Sequence, residues 1–498
     1  MPATRKPGTG YRYRVTQQHQ SEAEDGWLRR DGDPAVDDAG AVVLAWRTAV
    51  GRTQTEVAGV LGTTQQHLSQ IETGQRPVSL ELRRKMVTEL GIAAEDLGLS
   101  SGPARRLVSG DDAGPQIAAS RLRWRDERRW LNRHRSALAR LAVQLYPAEY
   151  QVPRTPLIAH PSWVPDEPVE LGSLALRLDE VPQIAEVDGS EPESEGTRPL
   201  RTAESRFERY TSAIKHLSPP TLFDSRPCYR LLDTSLTSHQ LKFGLANYFD
   251  KLDISEALGH EMAAACMADG LAVSLEQLRD RLPFRGLVGD PFDPQRRAII
   301  PAITTLTIRL RRYPAEPSFL LHWRDPAKVA TAGGIYDVIP AGEFQPSSVG
   351  LWDRRNDFDL WRNVVREYSE ELLGEPEHDG TRSQSIDYEL WPLYQQLQTA
   401  RVNGAVGTFL LGLGLDALTL AATILTVVVI DDDVFTEVFG STVRFNDEGE
   451  IVSVGGAPAE GVPFTEEAVS RMLETEPMAS PGAACLARAW QHRDVLGL

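Results

Sequence analysis

The stretch TQTEVAGVLGTTQQHLSQIETG, residues 53–74, constrains this chain more than any other part of it. Thr53 can cap a helix whose apolar face is Val57, Ala58 and Leu61. Gly62 then supplies the left-handed conformation that ends the helix and opens a tight turn. Thr64 can cap a second helix with Leu68 and Ile71 facing inward, leaving Gln65, Gln66, Ser69 and Gln70 outward. Upstream, Val43, Trp46, Arg47 and Val50 supply an earlier helix. Downstream, Leu80, Leu82, Met86, Val87 and Leu90 close a small core. Residues 39–99 are therefore expected to form a compact all-α unit.

Outward amides on a short helix suit the major groove of duplex DNA, because Gln pairs bidentately with adenine and Ser reaches bases or phosphates. A solvated helix can also carry several glutamines, so composition alone does not decide. Residues 43–90 resemble the lambda-repressor/Cro-like (XRE-type) helix-turn-helix family. Its pattern places an Arg, a Gly and a Thr-Gln pair before the scaffold helix, here Arg47, Gly51, Thr53 and Gln54. The turn and recognition helix of the family match Gly62, Ser69, Ile71, Glu72 and Gly74. The residue between Gly51 and Thr53 is usually apolar in the family, and here it is Arg52, which adds a candidate phosphate contact.

The resemblance implies that Gln54 bonds a phosphate at a helix N-terminus and sets register, while Thr64, Gln65, Gln66 and Gln70 approach base edges. The expected DNA-binding set is Arg47, Arg52, Gln54, Thr64, Gln65, Gln66, Ser69 and Gln70. The alternative is a protein-binding or toxin-associated use of the same fold. One such module reads a half-site, so a homodimer on a near-palindromic duplex is expected.

Charge supports this division of labour. Residues 1–150 hold 22 Lys+Arg against 18 Asp+Glu, a net of +4, and the remainder holds 31 against 52, a net of -21. A polyanion should meet the first part. Three cysteines without short spacing argue against a disulfide framework or a structural zinc site. The first ten residues contain no apolar core, so no signal peptide is expected, and a cytoplasmic location follows. The apolar run Val406–Ile430 is interrupted by Asp416 and glycines, so a buried helix followed by a central strand is expected in place of a membrane span.

The rest divides as follows. Residues 1–38 form a flexible arm, and 100–115 a linker. Residues 116–146 form an Arg-rich helix whose Trp124, Leu131, Leu138 and Leu145 recur every seven positions. That seam serves either a dimer contact or packing on the chain's own C-terminal part. Residues 147–300 are expected to be mostly helical, with a disordered or linker segment at 183–200. Residues 301–498 read as α/β, with strands at 302–310, 319–323, 333–339 and 424–430, helices at 359–373 and 386–401, and a turn at Asp431–Asp433.

Within the helix at 359–373, Glu367, Glu370 and Glu371 share one face at i, i+3 and i+4. Three carboxylates so spaced could bind magnesium or manganese beside a diphosphate. A solvated acidic face is the plainer account. With the upstream segment GGIYDVIPAGEFQP, residues 302–440 resemble a Nudix hydrolase domain through Arg366, Glu367, Glu370 and Glu371. The resemblance implies metal ligation by Glu370 and Glu371, a ligand or general-base role for Glu367, and an orienting role for Arg366. Departures from the family box fall at Trp352, Phe358 and Leu373.

The expected molecule is therefore multi-domain: a helix-turn-helix head, a helical linker and middle region, and a Nudix-like mixed-sheet domain. It is read as a dimeric transcriptional regulator that senses a nucleotide-like ligand. The alternative is a metal-dependent hydrolase of nucleoside diphosphate derivatives carrying a DNA-binding head.

Overall fold

In a computed structural model, the chain divides into two compact units, residues 1–112 and 113–498. The structure describes residues 42–44, 47, 52–73, 78–79, 82–83, 85–86, 90 and 92 of the first unit. It describes 114–498 of the second except 221–222, 313–314, 325–334, 377–384, 441–448 and 453–460. The expected arm and nearly all of the expected linker lie outside the described residues, as do Trp46, Val50, Gly51, Gly74, Leu80 and Val87.

In the first unit, helices α1 (Gln54–Leu61) and α2 (Gln65–Glu72) stand on either side of Gly62. Their Val57, Ala58, Leu61, Leu68 and Ile71 form one core with Val43, Val78, Leu82, Met86, Leu90 and Ile92. The apolar spacing alone accounts for this packing.

The second unit opens with α3 (Pro115–Ala142), followed by the short strands β1 (Leu157–Ile158), β2 (Val169–Glu170) and β3 (Ala175–Leu178). Helix α4 (Tyr210–Leu217), strands β4 (Pro227–Ser235) and β5 (Gln240–Asn247), and helix α5 (Tyr248–Met267) come next. Strands β6 (Pro301–Arg312), β7 (Ala315–Phe319), β8 (Leu321–Arg324), β9 (Ile335–Val338) and β10 (Ala341–Glu343) precede helices α6 (Asp353–Asn356), α7 (Leu360–Glu371) and α8 (Pro392–Val402). The chain closes with β11 (Val406–Asp416), β12 (Ala422–Asp431), α9 (Asp432–Phe439), β13 (Gly449–Val452), β14 (Val462–Pro463), α10 (Glu466–Glu474) and α11 (Ser480–Gln491).

The main sheet is mixed, running β1-β11-β12-β6-β7-β14, with β10 also on β6 and β2 also on β11. β12 pairs in parallel with β6 (Thr426 opposite Thr305) and antiparallel with β11. Helices cover both faces. Leu306, Ile308, Leu425 and Val427 pack with Ala484, Cys485 and Leu486 of α11 and Val469 and Met472 of α10. Ile303, Ile424 and Val428 belong to the larger core with Leu360, Val364 and Tyr368 of α7, Leu397 of α8, and Phe435 and Phe439 of α9. Burial on both faces explains why β12 reads as an uninterrupted apolar run. All three cysteines are free and buried. Among the described residues no helix is long and apolar enough to cross a membrane.

Four expectations need correction. First, residues 406–416 form a strand, not a helix. Gly412 (φ +140°) sits at a bulge where a Cβ would lie 2.9 Å from the Trp163 carbonyl oxygen, and a Cβ on Gly414 would meet Leu157 at 2.3 Å. The glycines there serve close approach of neighbouring backbone. Second, Asp432 and Asp433 open helix α9, where carboxylates favour the N-terminal dipole.

Third, the middle region carries a β3-β5-β4 sheet beside its helices. Fourth, segment 183–200 is held in place. Arg198, buried, donates to the carbonyls of Phe207 (3.1 Å), Glu208 (2.6 Å), Ser190 (3.2 Å) and Glu191 (3.1 Å). Gly189 docks so closely on α5 that a Cβ would lie 2.7 Å from the Asp253 carbonyl.

The Arg-rich helix α3 belongs to this same core. Trp124, Leu131 and Leu138 are buried within the second unit, and Trp124 Nε1 donates to the Thr197 carbonyl at 3.0 Å. Its arginines find internal partners: Arg121 reaches the Leu200 and Arg201 carbonyls, Arg128 the Tyr210 hydroxyl, and Arg135 the Glu256 carboxylate. The seven-residue spacing therefore buries its stripe inside the unit, against α5 above all.

Candidate nucleic-acid interface

Helices α1 and α2 are both fixed by capping. The Thr53 hydroxyl accepts the Glu56 amide at 3.3 Å, and the Glu56 carboxylate accepts the Thr53 amide at 2.7 Å. These two bonds satisfy donors that a helix start leaves open. The Thr53 amide and hydroxyl, both donating to the Glu56 carboxylate, hold that exposed carboxyl below its ordinary range. Gly62 ends α1 at φ 68° and ψ 34°, in the left-handed region that glycine enters without strain. Two residues later the Thr64 hydroxyl accepts the His67 amide at 3.2 Å and starts α2.

Glu72 joins the two helices to the segment before them. Its side chain, 2% exposed, accepts Arg47 Nε at 2.6 Å, Arg47 Nη2 at 2.8 Å and Gln54 Nε2 at 2.8 Å. Burial raises the carboxyl's pKa, but the bonds from Arg47 and Gln54 outweigh it and hold Glu72 below its ordinary value. The chain of contacts continues outward, because Gln54 Oε1 accepts Gln65 Nε2 at 2.8 Å. A buried ion pair thus orients Gln54, and Gln54 orients the first side chain of α2.

Residues 43–97 match the helix-turn-helix family model. No curated protein matches the chain. The match supports a DNA-binding transcription regulator with an XRE/Cro-like head.

On this helix-turn-helix domain, Arg52, Thr64, Gln65 and Gln66 are exposed, and Ser69 and Gln70 are half-buried along the same helix. Helix α2, eight residues long, is about 12 Å at 1.5 Å per residue, a length that fits across a major groove about 12 Å wide. Arg47 lies apart from that outward set. Its guanidinium is spent on Glu72 and on the Arg52 carbonyl (3.1 Å). Two features were missed in the sequence. The Thr53-Glu56 capping box was visible as Thr-x-x-Glu. The hub role of Glu72 had only its place in the family pattern as a signal.

In the second unit, Asp359 caps α7 by accepting the Arg362 amide at 2.9 Å, and the expected stripe Leu360, Val364, Tyr368 and Leu372 is buried. Glu367, Glu370 and Glu371 are half-buried, but the backbone of β10 occupies the space that two of them address. Glu371 Oε1 accepts the Ala341 amide at 3.0 Å. Glu367 lies over Gly342, where a Cβ would sit 2.1 Å from its carboxyl carbon. Arg366 turns to the Gln345 carbonyl (2.7 Å) and Asn363 (2.8 Å). Among the described residues, no group of three or more His, Cys, Asp or Glu side chains is arranged to hold a metal ion. The magnesium or manganese expectation at Glu367, Glu370 and Glu371 therefore does not fit this arrangement.

Proposed function

We propose that the protein is a sequence-specific transcriptional regulator that binds duplex DNA as a dimer and answers a nucleotide-like ligand through its C-terminal domain. One observation carries the DNA reading: the buried Arg47–Glu72 pair fixes Gln54, and Gln54 in turn holds Gln65 on the outward helix. A reading side chain that is already positioned loses less entropy on binding than a free one. In this reading Arg52 and Gln54 address phosphates. Thr64, Gln65, Gln66, Ser69 and Gln70 face base edges, and Arg47 supports them from behind. Two heads on a near-palindrome supply the affinity that one small module lacks.

The ligand-sensing part rests on the C-terminal architecture. A mixed sheet lies between α11 on one face and α7 and α9 on the other, with β10 feeding a loop that leads into α7. That order supports a Nudix-like domain in which a glycine-bearing strand precedes an acidic helix. Hydrolysis is not part of the proposal, because the acidic helix is engaged with β10. A ligand would act by favouring one arrangement of the two heads through differential affinity for two states.

The deciding experiment is binding of the purified full chain to its best genomic fragment against random duplex of equal length. A preference of about 10³-fold or more at physiological salt supports the regulator. Equal affinity for the two duplexes removes it. Incubation with ADP-ribose and nucleoside diphosphate sugars, followed by thermal unfolding and product analysis, separates a sensor from a hydrolase.

A further inference from the structure

The loop between β10 and α6 is held by two carboxylates that have no other evident purpose. The Ser347 amide (2.7 Å) and hydroxyl (2.6 Å) both donate to Asp357 Oδ2, and the Tyr388 hydroxyl donates to Asp357 Oδ1 at 2.8 Å. The Ser348 hydroxyl donates to Asp353 and accepts the Gly350 amide at 3.0 Å. Asp353 and Asp357 are 1% and 0% exposed. Burying two acids is costly, and the bonds that offset the cost fix the loop in one shape.

What this rigid loop carries is apolar and turned to water. Val349 is 71% exposed, Leu351 68% and Trp352 58%. Gly350 gives the indole its seat, since a Cβ there would meet the Trp352 ring at 2.6 Å. Two ties extend the patch. Arg355 pairs with Glu180 at 2.7 Å, bringing in the loop with exposed Val181 and Ile184. Asn356 donates to the Ile386 carbonyl at 2.9 Å, holding the turn with exposed Leu390. Six of the eleven large hydrophobic residues exposed among the described residues of this unit lie on this loop or within four residues of a group bonded to α6.

We propose that this surface is where a second copy of the chain docks. The inference rests on the dimeric reading of the DNA-binding head, and charge selects the occupant. The region outside residues 1–150 carries a net of -21, so two copies repel each other over most of their surface. With Asp353 and Asp357 buried, the charges left at the surface around the patch are Arg354, Arg355 and Arg362 against Asp359 and Glu180, so repulsion between two copies is low there. Glu180 and Arg355 on the rim already pair with each other, so the rim adds little net charge against the same face of a second copy. A preorganised loop ending in an exposed tryptophan has the make-up of an interface hot spot.

The test is the mass of the full chain by sedimentation equilibrium at micromolar concentration, for wild type and for Leu351→Glu combined with Trp352→Glu. Gly350→Ala, which displaces the indole without adding charge, is the milder variant, and Leu122→Glu, on α3, is the control. Wild type and control are expected to be dimers. The double variant should be monomeric with unchanged circular dichroism and a melting temperature that no longer depends on concentration, and Gly350→Ala should dissociate more readily. Affinity of the double variant for a palindromic duplex should fall about a hundredfold, with half-site affinity unchanged. A double variant that stays dimeric overturns this surface and leaves the dimer reading standing. A wild-type chain that is monomeric both free and on a palindromic duplex overturns both, even if sequence preference survives.

Discussion

Gln54 and Gln65 share a hydrogen bond, and in the proposed reading each also serves a DNA partner, so their energies are expected to be coupled. Gln65→Ala should relax base preference at one operator position, at a cost of about 1–3 kcal/mol, and Gln54→Ala should weaken all duplexes while also relaxing that same position in part. Because Gln54 positions Gln65, the double variant should cost less than the two single costs added together, with a coupling of about 0.5 kcal/mol or more. Fluorescence anisotropy on a full set of single-base operator variants measures both quantities; strictly additive losses would show that Gln54 does not position Gln65. A second residue-scale effect lies at Asp253. Burial pushes its carboxyl up to about 6, against the Thr211 amide and hydroxyl and Arg209, which pull it down. The neutral form is therefore favoured in the folded state. The stability this group contributes is complete below the ordinary carboxyl range and is lost as pH rises through about 6. Asp253→Asn keeps the acceptor for Thr211 and removes the titration. The variant should melt above wild type at pH 8, by an amount equivalent to about 2 kcal/mol, and should match it near pH 4. A constant difference across that range would contradict the assignment.

Elements differed in how openly the sequence declared them, and the difference follows the range of the forces that form them. Helices α1 and α2 are set by Thr caps and Gly62, all local, so their order and turn were legible in the sequence. So were β6, β12 and α7, whose apolar periods are strong. Segment 183–200 reads as a linker because its apolar content is low. It is ordered by Arg198, whose four carbonyl partners span nineteen residues and leave no compositional trace. Strand β11 reads as a helix because its long apolar run lacks the polar alternation of a half-buried strand, and the crossing backbone of Trp163 that Gly412 accommodates leaves no sequence signal. The acidic face of α7 shows the same limit: the spacing of Glu367, Glu370 and Glu371 was visible, but the strand lying across them was not. That strand makes its own prediction. Gly342→Ala should destabilise the second unit modestly, by about 0.5–1.5 kcal/mol, since the carboxyl end of the flexible Glu367 side chain must swing aside for the new methyl group. Glu367→Ala should recover much of the loss in the double variant. Equal melting of Gly342→Ala and wild type would mean that Glu367 does not rest on Gly342.

At the scale of the whole molecule, the positive surplus of residues 1–150 lies on α3 in the second unit, since residues 1–112 hold 14 Lys+Arg against 15 Asp+Glu. The two compact units have separate cores, one built from α1, α2 and the residues around them, the other from both faces of the mixed sheet. Units with separate cores can unfold separately, so calorimetry of the full chain should resolve two transitions. A partner that binds one native unit shifts only the transition of that unit. Operator duplex at about a hundred times its dissociation constant should stabilise the head by about 2.7 kcal/mol. For a head this small, that is a rise of about 10–20 °C, with the transition of the second unit nearly unmoved. A nucleotide-like ligand, if the sensing proposal holds, should do the reverse. The second unit, with 39 Lys+Arg against 55 Asp+Glu for a net of -16, sharpens the contrast, because it repels random duplex while the head, with 14 against 15 for a net of -1, repels it little. Random duplex at the same concentration should therefore move neither transition appreciably. A shift of the second transition alone by operator DNA would put the nucleic-acid contact outside residues 1–112 and end the present assignment of α2.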